Sequence, residues 1–163
     1  MTTGWDDWRQ DSIDKLEAPK WPSMSDEERE IAYSLSSAIG GNYQPFIEAY
    51  VTQSQTARST SGDIITCRYE PAPSQTIDLI LPPETTANEP CPLLVFFHGG
   101  YWQELSKNES LFAAPDCLAQ GVAFAAVDYT LAPDASLDRI VDECRRALLW
   151  LHDHGADYGY DPR

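Results

Sequence analysis

Leu93-Leu94-Val95-Phe96-Phe97-His98-Gly99-Gly100-Tyr101-Trp102 is the stretch whose reading decides the fold. Five consecutive apolar residues, bounded by Pro92 in front and by a histidine and two glycines behind, read as a strand buried on both faces, the pattern of a parallel sheet. A second such run, Val122–Val127, stops at Asp128. Between the two, Ser106-Lys107-Asn108-Glu109 has the form of a capping box, Pro115 must break or restart the helix that comes next, and Gly121 ends it. Beyond the Pro133 turn, apolar residues fall at Leu137, Ile140, Val141, Cys144, Ala147, Leu148 and Leu151, the spacing of an amphipathic helix facing a sheet, with Gly155 as its expected cap. Strand, helix, strand, helix is the repeating unit of a mostly parallel α/β sheet with crossover helices.

Working outward toward the N-terminus, residues 64–69 and 76–81 read as two strands joined by a Pro/Ser turn, and Pro82-Pro83 through Pro90 as a loop. A helix is expected from Pro45, with Phe46, Ile47, Tyr50 and Val51 as its apolar stripe. Another is expected from the capping box at Ser25-Asp26-Glu27-Glu28 to about Ala38, stopped by Gly40-Gly41. Residues 1–23, with Trp5, Trp8 and Trp21 and breaks at Pro19 and Pro22, read as an arm. The organisation expected is an N-terminal arm and two helices over 1–61, then the α/β core over 62–163.

The composition narrows the class of protein. The 163 residues carry 11 Lys+Arg against 26 Asp+Glu, a formal net charge of −15, which argues against a nucleic-acid backbone or an anionic membrane as partner. An apolar fraction of 42% supports a real core. No apolar run approaches the ~20 residues of a spanning helix, and Met1–Gln10 has no secretory h-region, so a cytoplasmic location is expected. Cys67, Cys91, Cys117 and Cys144 show no C-x-x-C spacing and read as unpaired thiols. His152 and His154, two apart near a helix end, do not share a face as an i, i+4 metal pair would, and no cofactor or metal is expected.

Chemistry points to His98-Gly99-Gly100-Tyr101-Trp102, directly after a buried strand, where α/β enzymes place ligand-binding loops. Paired glycines let the backbone approach a ligand and turn its N–H groups toward one point, as stabilisation of an acyl-transfer oxyanion requires. Together with Asp128-Tyr129-Thr130-Leu131-Ala132-Pro133, this pentad resembles the α/β-hydrolase superfamily, and within it the serine-hydrolase type of kynurenine formamidase (arylformamidase), which carries H-G-G-x-W and D-Y-x-L-A-P in these positions. Hormone-sensitive-lipase-like esterases share H-G-G and D-Y-x-L-A-P, but Tyr101 and Trp102 favour the formamidase branch. The resemblance is specific from Leu93 onward and vague before Gly62. It implies a strand order of first, second, fourth, third, an oxyanion hole from the amides around Gly99, Gly100 and Tyr101, a structural role for His98 in fixing the loop, and a buttress or pocket wall at Trp102.

One departure bears on activity. The residues two places after the nine glycines are Asp6, Asn42, Tyr43, Ile64, Tyr101, Trp102, Ala123, Asp157 and Asp161, so no G-x-S-x-G nucleophile elbow is present. In the superfamily the acid and histidine of the triad come later in the chain than that serine, and Tyr160-Asp161-Pro162-Arg163 resembles the lead-in to its strand. The expectation is the N-terminal half of an α/β-hydrolase fold, lacking the nucleophile-elbow strand and everything after it, from a parent enzyme hydrolysing N-formyl-L-kynurenine to kynurenine and formate in tryptophan catabolism. Nucleophile, acid and base are then absent from these residues, and the substrate is a small formamide or ester. The alternatives are a carboxylesterase of the hormone-sensitive-lipase-like group and an inactive half-hydrolase serving as an interaction or subunit module. Self-association through an exposed sheet edge at Leu93–Phe97 is expected in either case.

Overall fold

The structure, a computed structural model, describes residues 21–34, 40–86 and 89–162. Two compact units divide the chain, Met1–Tyr43 and Gln44–Arg163. The sequence boundary at 61/62 reflects a change of composition, whereas compactness divides the chain ahead of its second helix.

In the first unit, helix α1 spans Asp26–Tyr33 after a 3₁₀ turn at Trp21–Ser23. The capping box is formed: Ser25 Oγ accepts from the Glu28 N–H at 3.2 Å, and Glu28 Oε2 accepts from the Ser25 N–H at 2.8 Å. The helix closes at Ser34 rather than near Ala38. Residues 35–39 and the arm over 1–20 lie outside the described residues.

The second unit has the order α2 (Gln44–Thr60), β1 (Ile64–Arg68), β2 (Thr76–Ile80), β3 (Leu93–Phe97), a 3₁₀ turn (Lys107–Glu109), α3 (Ala114–Ala119), β4 (Ala123–Val127) and α4 (Leu137–Tyr158). The strands form one sheet in the order β1-β2-β4-β3. Strand β2 pairs antiparallel with both β1 and β4, and β3 pairs parallel with β4. This is the order expected for the hydrolase sheet. Alternation along the strands divides the core in two. Ile77, Leu79, Ala123, Ala125 and Val127 face Ala147 and Leu151 of α4, while Ile80, Phe124 and Ala126 face Ala57 of α2, Leu111 and Ala114. The sheet is therefore covered by α4 on one face and by α2 and α3 on the other.

Three expectations need correction. Strand β3 is not buried on both faces: among the described residues β4 is its one strand neighbour and Leu94 is 41% exposed, whereas the two central strands, β2 and β4, are buried along their whole length. On α2, Phe46 is exposed and Tyr50 stacks on Phe112 at the surface, Ile47 and Val51 are half-buried, and the fully buried positions are Ser54 and Ala57. Small residues are favoured there because Ser54 Oγ accepts the Leu111 N–H at 3.1 Å, which requires close approach. Finally, Gly155 does not cap α4. The helix continues to Tyr158 and Gly159 caps it in the left-handed conformation, φ 82°. Gly155 is instead a close-approach position, where a Cβ would meet Tyr160 O at 3.0 Å and Pro162 Cβ at 3.1 Å.

After the cap the chain returns to the sheet. Cys91 N–H donates to Gly159 O at 3.2 Å, and Asp161 N–H donates to Cys91 O at 2.8 Å, a parallel bridge on the side of β3 away from β4. Ala123 N–H donates to Pro92 O at 2.8 Å, so the parallel ladder uses the even-numbered residues of β3. The N–H and C=O groups of Leu93, Val95 and Phe97 continue the outward row begun by Cys91.

Because Gly155 is fixed by packing rather than by turn geometry, Gly155→Val is expected to lower stability by about 1–3 kcal/mol through overpacking. Thermal unfolding tracked by circular dichroism checks this; an unchanged midpoint would mean that the Tyr160–Pro162 segment yields without cost.

Candidate active site

Parallel strands β3 and β4 run in register to their C-terminal ends, Phe97 opposite Val127, so the two segments beyond them emerge side by side. His98 and Tyr129 then stack, ring centroids 4.3 Å apart and 5° from parallel, and the Tyr129 hydroxyl donates to His98 O at 2.7 Å. Burial pushes the Tyr129 phenol up to about 12, so the hydroxyl stays protonated as a donor. Further along, Ala132 N–H donates to Trp102 O at 2.7 Å, joining the second segment, with its cis Ala132–Pro133 bond, to the first.

Within the pentad, the two glycines differ. Gly100 has φ 105°, and Tyr101 and Trp102 come next at 52° and 61°, so three successive residues are left-handed. Gln103 and Glu104 donate to Gly100 O at 2.9 and 3.0 Å, closing the turn so tightly that a Cβ on Gly100 would meet Glu104 O at 2.2 Å. Gly99 is not left-handed and has open space around it. The turn holds Tyr101 and Trp102 with their rings in edge contact, 60% and 48% exposed. His98 faces the other way: its side chain is 2% exposed and its Nδ1 lies 2.9 Å from Gly99 O. It is a buried anchor of the turn.

Sequence reasoning missed the polar network beneath this turn. Asp128 Oδ1 accepts the Lys107 N–H at 2.6 Å and lies 3.6 Å from His98 Nε2. Lys107 Nζ donates to Asp78 Oδ1 at 2.8 Å, and Asp78, fully buried on β2, also accepts from Thr66 at 2.7 Å and Arg58 at 2.9 Å. Burial alone would raise the Asp78 carboxyl, but the hydrogen bonds from Lys107, Thr66 and Arg58 outweigh it and hold the group below its ordinary value. For Asp128 burial wins, against the Lys107 amide and His98, and its carboxyl lies above the ordinary value. Glu143 on α4 ties in the other segment, accepting from Thr130 N–H at 2.8 Å and Arg139 Nε at 3.0 Å. An Asp between isoleucine and leucine in a strand gives no sign of being buried until the face it occupies is known.

The remaining candidates lie elsewhere. His154 stacks on Trp150 at 4.2 Å and shares its Nδ1 with Trp150 O, and His152 is exposed beside Asp153. All four cysteines are free thiols. Among the described residues there is no cluster of His, Cys, Asp and Glu suited to a metal, and no helix is long and apolar enough to cross a membrane.

Residues 77–163, which hold β2 but for its first residue, both site segments and α4, match the BD-FAE family model. The chain belongs to the BD-FAE family. Kynurenine formamidase of Danio rerio is 33% identical to this BD-FAE member over 134 residues, covering 79% of the chain and 45% of the formamidase. Among solved structures, a proposed thioesterase from Silicibacter sp. tm1040 superposes with a TM-score of 0.68 at 26% identity, covering 76% of the chain and 46% of that protein. Esterase B of Lactobacillus rhamnosis has a TM-score of 0.56 at 25% identity, with 72% and 43% covered. The fold is that of an α/β-hydrolase, and the chain spans less than half the length of these relatives.

The geometry makes two predictions. Gly99→Ala is expected to unfold in urea within about 1 kcal/mol of the parent, whereas Gly100→Ala loses at least about 1–3 kcal/mol from the left-handed backbone alone. Asp78→Ala, which strands Lys107 beside an empty site, is expected to cost about 3–5 kcal/mol at pH 7. Because the folded carboxyl of Asp78 is held below its unfolded value, that contribution is complete above the ordinary carboxylate range and is lost as pH falls through the folded value. Asp128 has the opposite sign: its ionisation costs stability above its folded value and the cost vanishes in acid. Urea unfolding of Asp78→Ala and Asp128→Asn against pH checks both signs; an Asp128→Asn penalty as large as that of Asp78→Ala would reverse the assignment.

Proposed function

We propose that the chain is the oxyanion-hole half of a serine α/β-hydrolase that removes the formyl group from N-formylated aryl amines, N-formyl-L-kynurenine being the substrate implied by the formamidase relatives. The observation that carries the reading is the left-handed turn at Gly100, clamped from below by His98, Tyr129 and Asp128 at the C-terminal ends of two parallel strands. The Gly99 and Gly100 amides donate to no backbone carbonyl outside the sheet ladder among the described residues. Such amides serve an oxyanion because they are fixed before charge develops, and one lost donor costs ~10²–10³ in turnover. In the reaction a serine Oγ attacks the formyl carbon, the amides hold the resulting oxyanion, the C–N bond breaks as the amine takes a proton, and water releases formate from the formyl-serine. Serine, acid and base come from outside these 163 residues. The exposed Tyr101 and Trp102 rings supply an apolar wall for the aryl group.

The esterase likeness supports a second reading, a carboxylesterase acting on small acyl esters through the same turn. A third is an interaction module that pairs through the outward groups of Leu93, Val95 and Phe97, since an apolar strand with an open edge is a template for another chain.

The test joins this chain to the segment of the Danio rerio formamidase that lies beyond its matched region. The joined enzyme is expected to hydrolyse N-formylkynurenine in preference to p-nitrophenyl acetate, while the 163 residues alone turn over neither above background. Gly100→Val in the joined enzyme is expected to lower kcat by roughly 10²–10³. Preference for the ester would establish the second reading, and a Gly100→Val effect confined to KM would make the turn a substrate-binding element. The chain alone is expected to sediment as dimers or larger species despite its charge of −15. A compact monomer at tens of micromolar would remove the edge-pairing proposal.

A further inference from the structure

The Nε2 atom of His98 is buried and has no hydrogen-bond partner among the described residues, and Asp128 Oδ1 lies 3.6 Å from it. The other ring nitrogen, Nδ1, lies 2.9 Å from Gly99 O, which can only accept, so Nδ1 carries hydrogen. A neutral ring then presents a bare lone pair at Nε2. An ionised Asp128 presents another at Oδ1. Two lone pairs facing each other at 3.6 Å, one on a buried ring and the other on a carboxylate whose side chain is only 16% exposed, repel, and a single proton between them turns the repulsion into a charge-assisted contact.

We propose that His98 and Asp128 hold one proton between them, on the ring or on the carboxyl, and that this proton makes Asp128 a positioning residue for the Gly99–Gly100 turn. The charged groups of the network beneath the turn have their own partners. Lys107 gives its amide to Asp128 and its ammonium to Asp78, which Arg58 of α2 also meets. Tyr69 at the end of β1 donates to Asp128 O at 2.8 Å, and Tyr129 donates to His98 O. Glu143 of α4, close to Tyr69, is taken up by Thr130 and Arg139, and Cys144 of the same helix lies near Tyr129. None of these supplies a donor to His98 Nε2. Burial raising the Asp128 carboxyl above its ordinary range agrees with a proton retained at this pair.

The consequence for the turn comes from peptide planarity. Gly99 C=O and Gly100 N–H belong to one rigid unit and point in opposite directions. When Nδ1–H holds the Gly99 carbonyl toward the buried ring, the Gly100 N–H is aimed away from it. The orientation of that amide thus depends on the orientation of the ring, which the stacked Tyr129 and the shared proton fix. The value of that aim to an oxyanion rests on the hydrolase reading above, but the proton itself does not.

The test uses the 163-residue chain with ¹⁵N-labelled histidine and ¹³C-labelled aspartate, the ring signals being assigned with His152→Asn and His154→Asn, both remote from the turn. At pH 7 either His98 Nε2 or the Asp128 carboxyl is expected to resonate as protonated. In Asp128→Asn, Nε2 is expected to move to the range of a bare ring nitrogen, and the Gly100 amide signal to shift with it. Raising the pH of the parent is expected to move the Gly100 amide with the midpoint at which the pair loses its proton. An unprotonated Nε2 and an ionised Asp128 together at pH 7 would overturn the proposal, as would a Gly100 amide indifferent to Asp128→Asn in a folded variant. Should that variant fail to fold, the parent spectrum alone decides. No substrate is involved, so failure here and failure of the formamidase reading are separate results.

Discussion

The parallel register of β3 on β4 is the constraint on which the rest of the site depends. Because Phe97 lies opposite Val127, the residues just past each strand leave the sheet at the same level. His98 meets Tyr129 and Asp128 for that reason alone, though some 30 positions separate them in the chain. A slip of one residue would turn His98 to the other face of the sheet and bring a glycine against the tyrosine ring. Small side chains on β4, Ala123, Ala125 and Ala126, let helices cover both faces of this strand, so the register is held by packing as well as by the ladder.

An acidic chain has to keep the carboxylates it takes out of water compatible with its core, and here two are held low by hydrogen bonds while a third, only partly buried, is raised. Asp78 sits at the centre of the sheet with three donors and stays ionised below its ordinary range. Glu143 is likewise lowered, since the Thr130 and Arg139 hydrogen bonds outweigh its burial. Asp128 has a weaker set of donors and is raised. The difference tracks chain position. Asp78 and Glu143 lie inside a strand and a helix, where neighbouring elements converge on them, whereas Asp128 lies where β4 opens into a loop.

The chain spans 45% of the Danio rerio formamidase and 46% of the Silicibacter protein, and its described residues hold a four-stranded sheet with the two segments that leave β3 and β4. Within it the polar network is largely self-contained. Lys107 bridges Asp78 to Asp128, and Asp128 faces His98 beneath the turn at Gly100.

Much of the fold was legible in the sequence because hydrophobic periodicity and punctuation are local properties. The apolar run at Leu93–Phe97, the capping box at Ser25 and Pro115 marked strand β3 and two helix starts within a residue or two, and the H-G-G-Y-W and D-Y-T-L-A-P segments marked the candidate site, whereas Ser106, read as the cap of a helix, opens only the 3₁₀ turn at Lys107–Glu109, its Oγ accepting from the Asn108 N–H. Periodicity does not say how many neighbours a strand has, so it read β3 as buried on both faces, and a glycine near a helix end reads alike as a cap or as a close-approach position, which misplaced the end of α4. The left-handed conformation of Tyr101 and Trp102, beside a Gly99 that does not need its freedom, is imposed by the clamp beneath the turn and not by local preference. The contacts of Asp78, Lys107, Asp128 and His98 join residues 21 to 30 positions apart, and such proximity belongs to the tertiary structure, because only the pairing of β2 and β3 on either side of β4 brings those side chains to one place.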